Sequence, residues 1–493
     1  MTDVRTLDAA SLRQLALDCG ADDAGLVQVE RPELEPDRAD ILRYFPWTKM
    51  LLAFAVRVSR ESVRSPARSV AGLEMQAGES DIDEIGRRIV RRLEGQGVRA
   101  VNHAAAFPLE LDRFPGKIWI VAHKTVAVEA GLGHLGVHRN LIHPKFGDFV
   151  GLGTVLVGSA ATEYGRPLAE NPCVKCMLCV AVCPTGAISA DGYFDFSACY
   201  SHTYREQLSG FTDWVERITE SKDAEEYRKQ VSESDTASMW QSLSTGARGR
   251  CGYCVAVCPA GEDVIGQYLA DRAAYAREVV RPLQAKVESV YVVRGSDAEL
   301  SVAKRFPHKR ALRIGNALRP RTVEQFLSGL RAVFQRGKSE GLDATYHFTF
   351  TEPVAKKRPG GMAEEVEPGA MPGMLAGETA RGETSVPHLG GLHTGGTPVP
   401  RGGKAGPLAK TKPKPKRFGS VEVGRATVVI RNKTVTVQGG HVGKADLEIV
   451  ADAETWLGFL AKERSLAWAW LTRRIKLKGS AKWLLVFGKC FPS

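Results

Sequence analysis

Eight of the ten cysteines in the 493-residue chain lie between positions 173 and 258. The first run reads Cys173-Val-Lys-Cys176-Met-Leu-Cys179-Val-Ala-Val-Cys183-Pro184. A lone Cys199 follows, then Cys251-Gly-Tyr-Cys254-Val-Ala-Val-Cys258-Pro259. Three closely spaced thiolates can hold one iron–sulfur cluster, while a fourth, four positions on and followed by proline, ligates a second cluster. By that logic Cys173, Cys176, Cys179 and Cys258 form one set, and Cys183, Cys199, Cys251 and Cys254 the other. Two plainer readings compete. Disulfides belong mainly to secreted domains, and structural zinc closes a site with four ligands but gives no reason for two interleaved Cys-Pro endings. Cys19 and Cys490 read as ordinary buried thiols.

The elements that must position these thiols are mixed. Leu12, Leu15, Ala16 and Cys19 share a helical face leading into a strand at 24–29, and residues 50–58 form an apolar run of strand length. Ile82, Ile85, Ile89, Val90 and Leu93 recur at helical spacing before Gly95 and Gly97. A further helix is expected over 119–130 and a strand over 149–157. Without a regular strand–helix repeat, this is an α+β pattern. Between the cysteine runs lies a charged, helix-forming insert. After Cys258 a helix over 262–280 should stop at Pro282, followed by a strand at 290–294 and a short helix at 298–306. Lys304, Arg305, His308, Lys309, Arg310 and Arg313 form a basic run, either a solvated face or a contact for an anionic partner.

The first domain also carries Ala130-Gly-Leu-Gly-His134-Leu-Gly136-Val-His138-Arg139-Asn140-Leu-Ile-His143-Pro144-Lys145-Phe-Gly147. Glycines at such intervals allow sharp turns and close approach to a ligand. On a helix His134 and His138 would share a face, a spacing more often structural than metal-binding.

This stretch, followed by the two cysteine runs, resembles the epoxyqueuosine reductases and the iron–sulfur halves of reductive dehalogenases over roughly residues 8–262. The resemblance implies a bacterial ferredoxin-type double 4Fe-4S segment beside a corrinoid-reductase-like α+β domain holding cobalamin. It makes Gly131, Gly133, Gly136 and Asn140 the candidate cofactor contacts. Where those reductases carry two upstream carboxylates, this chain has Lys117 and His123. His123 becomes the candidate proton donor because imidazole titrates near neutrality, and Lys124 a candidate fixed positive charge.

The last third starts another domain. Val323, Phe326, Leu327, Leu330, Val333 and Phe334 give an amphipathic helix, and 342–350 alternates as a half-buried strand. Residues 354–419 are rich in Gly, Pro and Lys and read as a disordered insertion. They carry eleven Lys or Arg against five Glu, so +6 of the formal +11 charge sits there and no basic nucleic-acid groove is implied by the total. Strands at 426–430, 434–437 and 445–450, helices at 454–460 and 466–471, a strand at 475–478 and a closing helix complete the domain. The order resembles the sterol carrier proteins. This resemblance implies an antiparallel sheet with helices on one face and an apolar tunnel for a lipid-like ligand. Its candidate lining is Phe326, Leu330, Phe334, Trp456, Phe459, Leu460, Trp468, Trp470 and Leu471.

The expected organisation is therefore an α+β multidomain chain. It comprises a cofactor or substrate domain (1–165), the double-cluster domain with its helical insert (166–265), a connector (266–322), and a sterol-carrier-like α/β domain (323–353 plus 420–493) interrupted by 354–419. The expected function is an iron–sulfur oxidoreductase passing electrons from a soluble donor, such as ferredoxin or flavodoxin, through two 4Fe-4S clusters to a cofactor or substrate in the first domain. The alternatives are a non-catalytic electron-transfer and lipid-binding adaptor, and a tRNA-modifying enzyme. The opening residues lack a basic–apolar leader or twin arginine, and no apolar run has bilayer length, so a reducing cytoplasm is expected.

Overall fold

The computed structural model describes residues 6–103, 120–205, 209–246, 249–315, 319–353, 420–461 and 463–492. The predicted positions Lys117 and Trp119, and the insertion 354–419, lie outside them. Two compact units divide the chain, Met1–Thr351 with Glu422–Ser493, and Glu352–Val421.

The first domain is built on four antiparallel strands. In chain order its elements are α1 (Ala9–Asp18), β1 (Asp23–Gln28), β2 (Met50–Arg57), α2 (Arg68–Glu94), β3 (Ala100–His103), α3 (His123–Glu129) and β4 (Val150–Val157). The sheet order is β1-β2-β4-β3. Strand β2 reads as an unbroken apolar run because both of its faces are covered. Met50, Leu52, Phe54 and Val56 pack with α1 and α2, while Leu51 and Ala53 face Val126 and Ala127 of α3. Helix α2 begins fourteen residues before the expected Ile82. Its first turns expose Val70 and Leu73 and are held instead by Arg68, which donates to the Ser238 and Ser242 hydroxyls of the insert at 2.8 and 2.7 Å.

The cysteine region contributes α4 (Leu178–Val182), α5 (Phe196–Thr203), the insert helices α6 (Ser209–Glu220), α7 (Ala224–Gln230) and α8 (Glu233–Thr245), then α9 (Tyr253–Ala256) and α10 (Glu262–Ala270). The helix expected over 262–280 is broken at Asp271, whose carboxylate caps a new turn by accepting from the Ala273 and Ala274 amides. Pro282 does not stop it. It sits in the first turn of a further segment, Arg281–Ala285, where a missing N–H costs nothing.

The connector holds β5 (Ser289–Val293), α11 (Asp297–Arg305) and β6 (Arg310–Ile314), with β5 and β6 paired in parallel across the helix. The sequence pattern gave no strand at β6, because its charged residues mask it. The basic run does not form one patch. Lys309 is buried against Glu288 at 2.7 Å, Arg305 donates to the carbonyls of Val180, Ala181 and Cys183, and Arg313 pairs with Glu299. Only Lys304, His308 and Arg310, besides Arg313, are exposed.

The C-terminal domain comprises α12 (Val323–Val333), β7 (Ala344–Pro353), β8 (Ser420–Arg431), β9 (Thr434–Gly439), β10 (Leu447–Asp452), α13 (Ala453–Leu460), α14 (Leu466–Leu471), β11 (Ile475–Gly479) and α15 (Lys482–Cys490). Its sheet order is β9-β8-β7-β10-β11. The sheet is mixed rather than antiparallel, since β10 runs parallel to β7. Asn432 and Lys433, both at positive φ, make the tight β8–β9 turn. Of the residues expected to line a tunnel, Phe459 and Leu460 are half-buried and the Trp470 side chain lies outside those described. Phe326, Leu330, Phe334 and Trp456 are core, and Phe326, Phe348, Phe350 and Trp456 meet edge-on at centroid distances of 5.5–6.3 Å where their planes cross. Trp468 and Leu471, by contrast, are 43% and 82% exposed.

This domain is fixed to the cysteine region and connector. Arg336 pairs with Asp191 at 2.5 Å, the Asp297 carboxylate accepts from the Gly337 amide, and Tyr193 donates to the Phe334 carbonyl. β7 and β8 are neighbours in one sheet. Among the described residues no helix is long and apolar enough to cross a membrane.

Candidate metal centre

Short helices bring the thiols together. Cys173 and Cys176 precede α4, Cys179 lies within it and Cys183 caps its end. Cys199 lies in α5. Cys251, Cys254 and Cys258 lie before, within and after α9. Lys175 and Met177, at φ of +50° and +62°, curl the first loop back on itself. The resulting cleft is lined by Cys173, Cys176, Cys179 and Cys258, together with Val137 and His138. This is the first of the two sets expected from spacing, including Cys258, which lies 79 residues beyond Cys179.

Electrostatics separates the same two groups. Burial pushes the Cys179 thiol up to about 12 and raises Cys258 well above its usual range, and both feel Cys173 and Cys176. Burial raises Cys199 to about 11 and Cys254 well above the thiol range, and the charges Cys254 feels include Cys251, Cys199 and Cys183. Thiolates crowded in a dry site repel one another, so each foursome favours its deprotonated form only with a cation between the sulfurs. Both donor sets therefore fit an iron–sulfur cluster.

The glycine-rich stretch lies against these thiols and is not helical. His134 is in a two-residue strand with Leu135, and His138 is in a turn closed by Arg139 N–H donating to the Gly136 carbonyl. A side chain at Gly133 would meet the Ile142 carbonyl at 2.4 Å, one at Gly136 the His138 ring at 2.8 Å, and Gly131, at φ +84°, faces the Arg166 carbonyl. Each missing side chain makes room for this chain's own atoms. Asn140 accepts from Lys124 Nζ at 2.7 Å through Oδ1 and directs Nδ2 at Cys254 Sγ, 3.7 Å away.

His123 is buried, its Nδ1 2.8 Å from the Thr154 hydroxyl, and burial together with nearby His103 pulls its pKa down to about 3. It is therefore neutral at physiological pH and does not titrate near neutrality as the sequence reading required. Lys124 is exposed, and its ammonium is spent on Asn140 and the Arg139 carbonyl.

Two residues outside the candidate set stand at the centre of the site. His138 and Asp148 are both buried, with Nε2 and Oδ2 3.3 Å apart, and one ligand atom from each lies within 4.8 Å of the other and of Cys258 Sγ. Burial lowers His138 to about 4 and raises Asp148 well above the carboxylate range. Asp148 had no sequence signal, because a lone Asp after Phe-Gly is ordinary loop composition. Behind the second set, Tyr253 donates to Glu288, which Lys309 and Lys286 also engage.

Comparison with known proteins bears on the cysteine region. Residues 170–189 match the family described as 4Fe-4S binding domain. The chain is 38% identical over 81 residues to an epoxyqueuosine reductase of Synechococcus sp. (strain CC9605), covering 16% of this chain and 25% of that protein. It is 29% identical over 123 residues to that of Aliivibrio fischeri, covering 25% and 29%. The chain thus spans about a quarter of the length of the curated relatives it matches. Among solved structures, a catabolic reductive dehalogenase is similar at 16% identity and a TM-score of 0.35, covering 62% of this chain and 39% of that one. Epoxyqueuosine reductase from Streptococcus thermophilus is similar at 14% identity and a TM-score of 0.28, covering 41% and 61%. The curated relatives are reductases by name, and the segment matched in this chain is described as a 4Fe-4S binding domain.

Proposed function

We propose that the chain is an iron–sulfur reductase holding two 4Fe-4S clusters, one on Cys173, Cys176, Cys179 and Cys258, the other on Cys183, Cys199, Cys251 and Cys254. The observation that supports this reading is the cleft in which Cys173, Cys176 and Cys179 of the first run meet Cys258 of the second, while Cys254 feels the charges of Cys251, Cys199 and Cys183. Bound there, such clusters store and pass single electrons. The protein's part is to keep the sulfurs dry and close. Arg305 secures the carbonyls at the end of α4, and the Lys309–Glu288–Tyr253 network secures α9, so the two runs are clamped from the connector side.

Electron entry is proposed at the first set. Val174 and Lys175, on the loop between Cys173 and Cys176, are exposed, whereas Cys258 and Cys179 lie beneath. An acidic soluble donor of the ferredoxin or flavodoxin kind suits an exposed apolar residue beside a lysine. A reducing, cytoplasmic setting belongs to the same proposal.

Cobalamin is a different case. Gly133 and Gly136 are buried against the chain's own atoms, and Asn140 is directed at a thiol. The four residues that resemblance assigned to the cofactor do not make a corrinoid cradle, and we derive no step through it.

For the C-terminal domain we propose an apolar, lipid-like ligand held on the outer surface of α14 and α15, where Trp468, Leu471 and Leu485 are exposed, rather than in the packed core. The test of the reductase reading is anaerobic reconstitution followed by visible spectroscopy and turnover of reduced donor. Donor oxidation that requires an added acceptor supports a reductase. Clusters that reduce but pass electrons to no acceptor support the adaptor instead.

A further inference from the structure

The turn from Gly136 to Asn140 touches both thiol sets with side chains two residues apart. Its form is closed by the Arg139 amide on the Gly136 carbonyl and the Gly136 amide on the Asn140 carbonyl, with Arg139 at φ +65°. His138 then points to one side, lining the cleft with Cys173, Cys176, Cys179 and Cys258. Asn140 points to the other, toward Cys254.

Hydrogen bonding fixes which atom each side chain presents. The Asn140 backbone amide donates to His138 Nδ1 at 3.1 Å, so the proton of the neutral ring is on Nε2. Nε2 is buried 3.3 Å from Asp148 Oδ2 without a well-formed hydrogen bond, and His138, Asp148 and Cys258 each place a ligand atom within 4.8 Å of the others. At Asn140 the Lys124 ammonium requires the amide oxygen to face it, which leaves the NH₂ group to face Cys254. A buried donor aimed at thiolate sulfur stabilises the more negative, reduced state of whatever those sulfurs ligate.

We propose that this turn sets the two cluster potentials separately, His138 acting on the cluster held by Cys258 and Asn140, oriented by Lys124, on the cluster held by Cys254. The inference rests on the two-cluster reading above. Both are positioning residues that act through the ligand sulfurs. The turn is thus a divider between the two centres, and its glycines are there because it has to fit between them.

The test is a redox titration of the reconstituted full chain followed by electron paramagnetic resonance, with iron and sulfide counted first. Asn140→Leu should make one midpoint more negative by about tenfold in the one-electron equilibrium constant, equivalent to about 59 mV, and leave the other in place. His138→Leu should move the other midpoint, and His138→Gln, which keeps an N–H, should restore most of it. Lys124→Met, a surface change, should shift the same midpoint as Asn140→Leu by a smaller factor. The proposal is overturned if both midpoints stay within about twofold of wild type, if each variant moves both together, or if Asn140→Leu and Lys124→Met act on different midpoints. Loss of iron from Asn140→Leu would also overturn it, because the residue would then be structural. A wild-type count below eight irons would instead remove the two-cluster reading itself, and with it this inference.

Discussion

Replacing residues 354–419 with a turn of about six residues should leave the C-terminal sheet intact and make it more stable. Strand β8 neighbours β7 in the sheet and ends at Arg431, which pairs with Asp343 just before β7 begins, so the two strands run in opposite directions. The replaced segment is 66 residues long. Closing a loop costs roughly (3/2)RT ln n, so an elevenfold shorter connection removes about 2 kcal/mol of closure entropy from folding. Hydrogen exchange read by mass spectrometry on the amides of β7 and β8 reports that local stability, and 2 kcal/mol corresponds to exchange slower by about thirtyfold. Strain in the new turn reduces the gain but does not reverse it. Exchange that became faster than in the full chain would refute the reasoning, because residues 354–419 would then be holding the strands together rather than merely joining them.

Acid should destabilise the chain through its buried imidazoles. Burial, with lesser effects from nearby charges, holds His123 and His202 near 3, below the 6.5 of an exposed histidine. Between those values the unfolded chain takes up protons that the folded chain refuses. Stability is therefore full above about pH 6.5 and falls toward pH 3, by about 1.4 kcal/mol per pH unit for each histidine. Urea unfolding from pH 7 to 4 measures this, and His123→Asn should reduce the slope, while an unchanged slope would show that His123 is accessible to protons. Phe348→Ala should cost about 3–5 kcal/mol, since the ring is fully buried and meets Phe326, Phe350, Trp456 and Phe487. A loss below about 1 kcal/mol in denaturant unfolding would mean that the aromatic core can open, as an internal ligand tunnel would require.

Sequence made the metal centre legible because cysteine spacing is itself geometry. Three residues separate Cys254 from Cys258, and Cys258 lines the cleft with Cys173, Cys176 and Cys179 whereas Cys254 does not. Spacing reveals that the backbone of the glycine-rich turn must approach something closely, and the structure shows that added side chains at Gly133 and Gly136 would meet Ile142 and His138 of the same chain. His123 shows a second limit. Its type suggested proton transfer, but burial, which depends on β4 and Thr154 packing over it, removes the charge. In the basic run at 304–313 Lys304, His308, Arg310 and Arg313 are exposed, as a solvated face requires, but Lys309 and Arg305 are drawn inward by Glu288 and three carbonyls at the end of α4. Most strands and helices followed from periodicity. Helix α2 and the broken helix after Cys258 did not, since contacts with the insert and the Asp271 cap decide them.

Counting iron and acid-labile sulfide in anaerobically purified full-length protein tests the central claim most directly. Two thiol foursomes predict about eight of each per chain, with Cys258→Ala and Cys254→Ala each losing a different paramagnetic signal. Bound zinc without sulfide, or about four irons with both variants affecting the same signal, would contradict it.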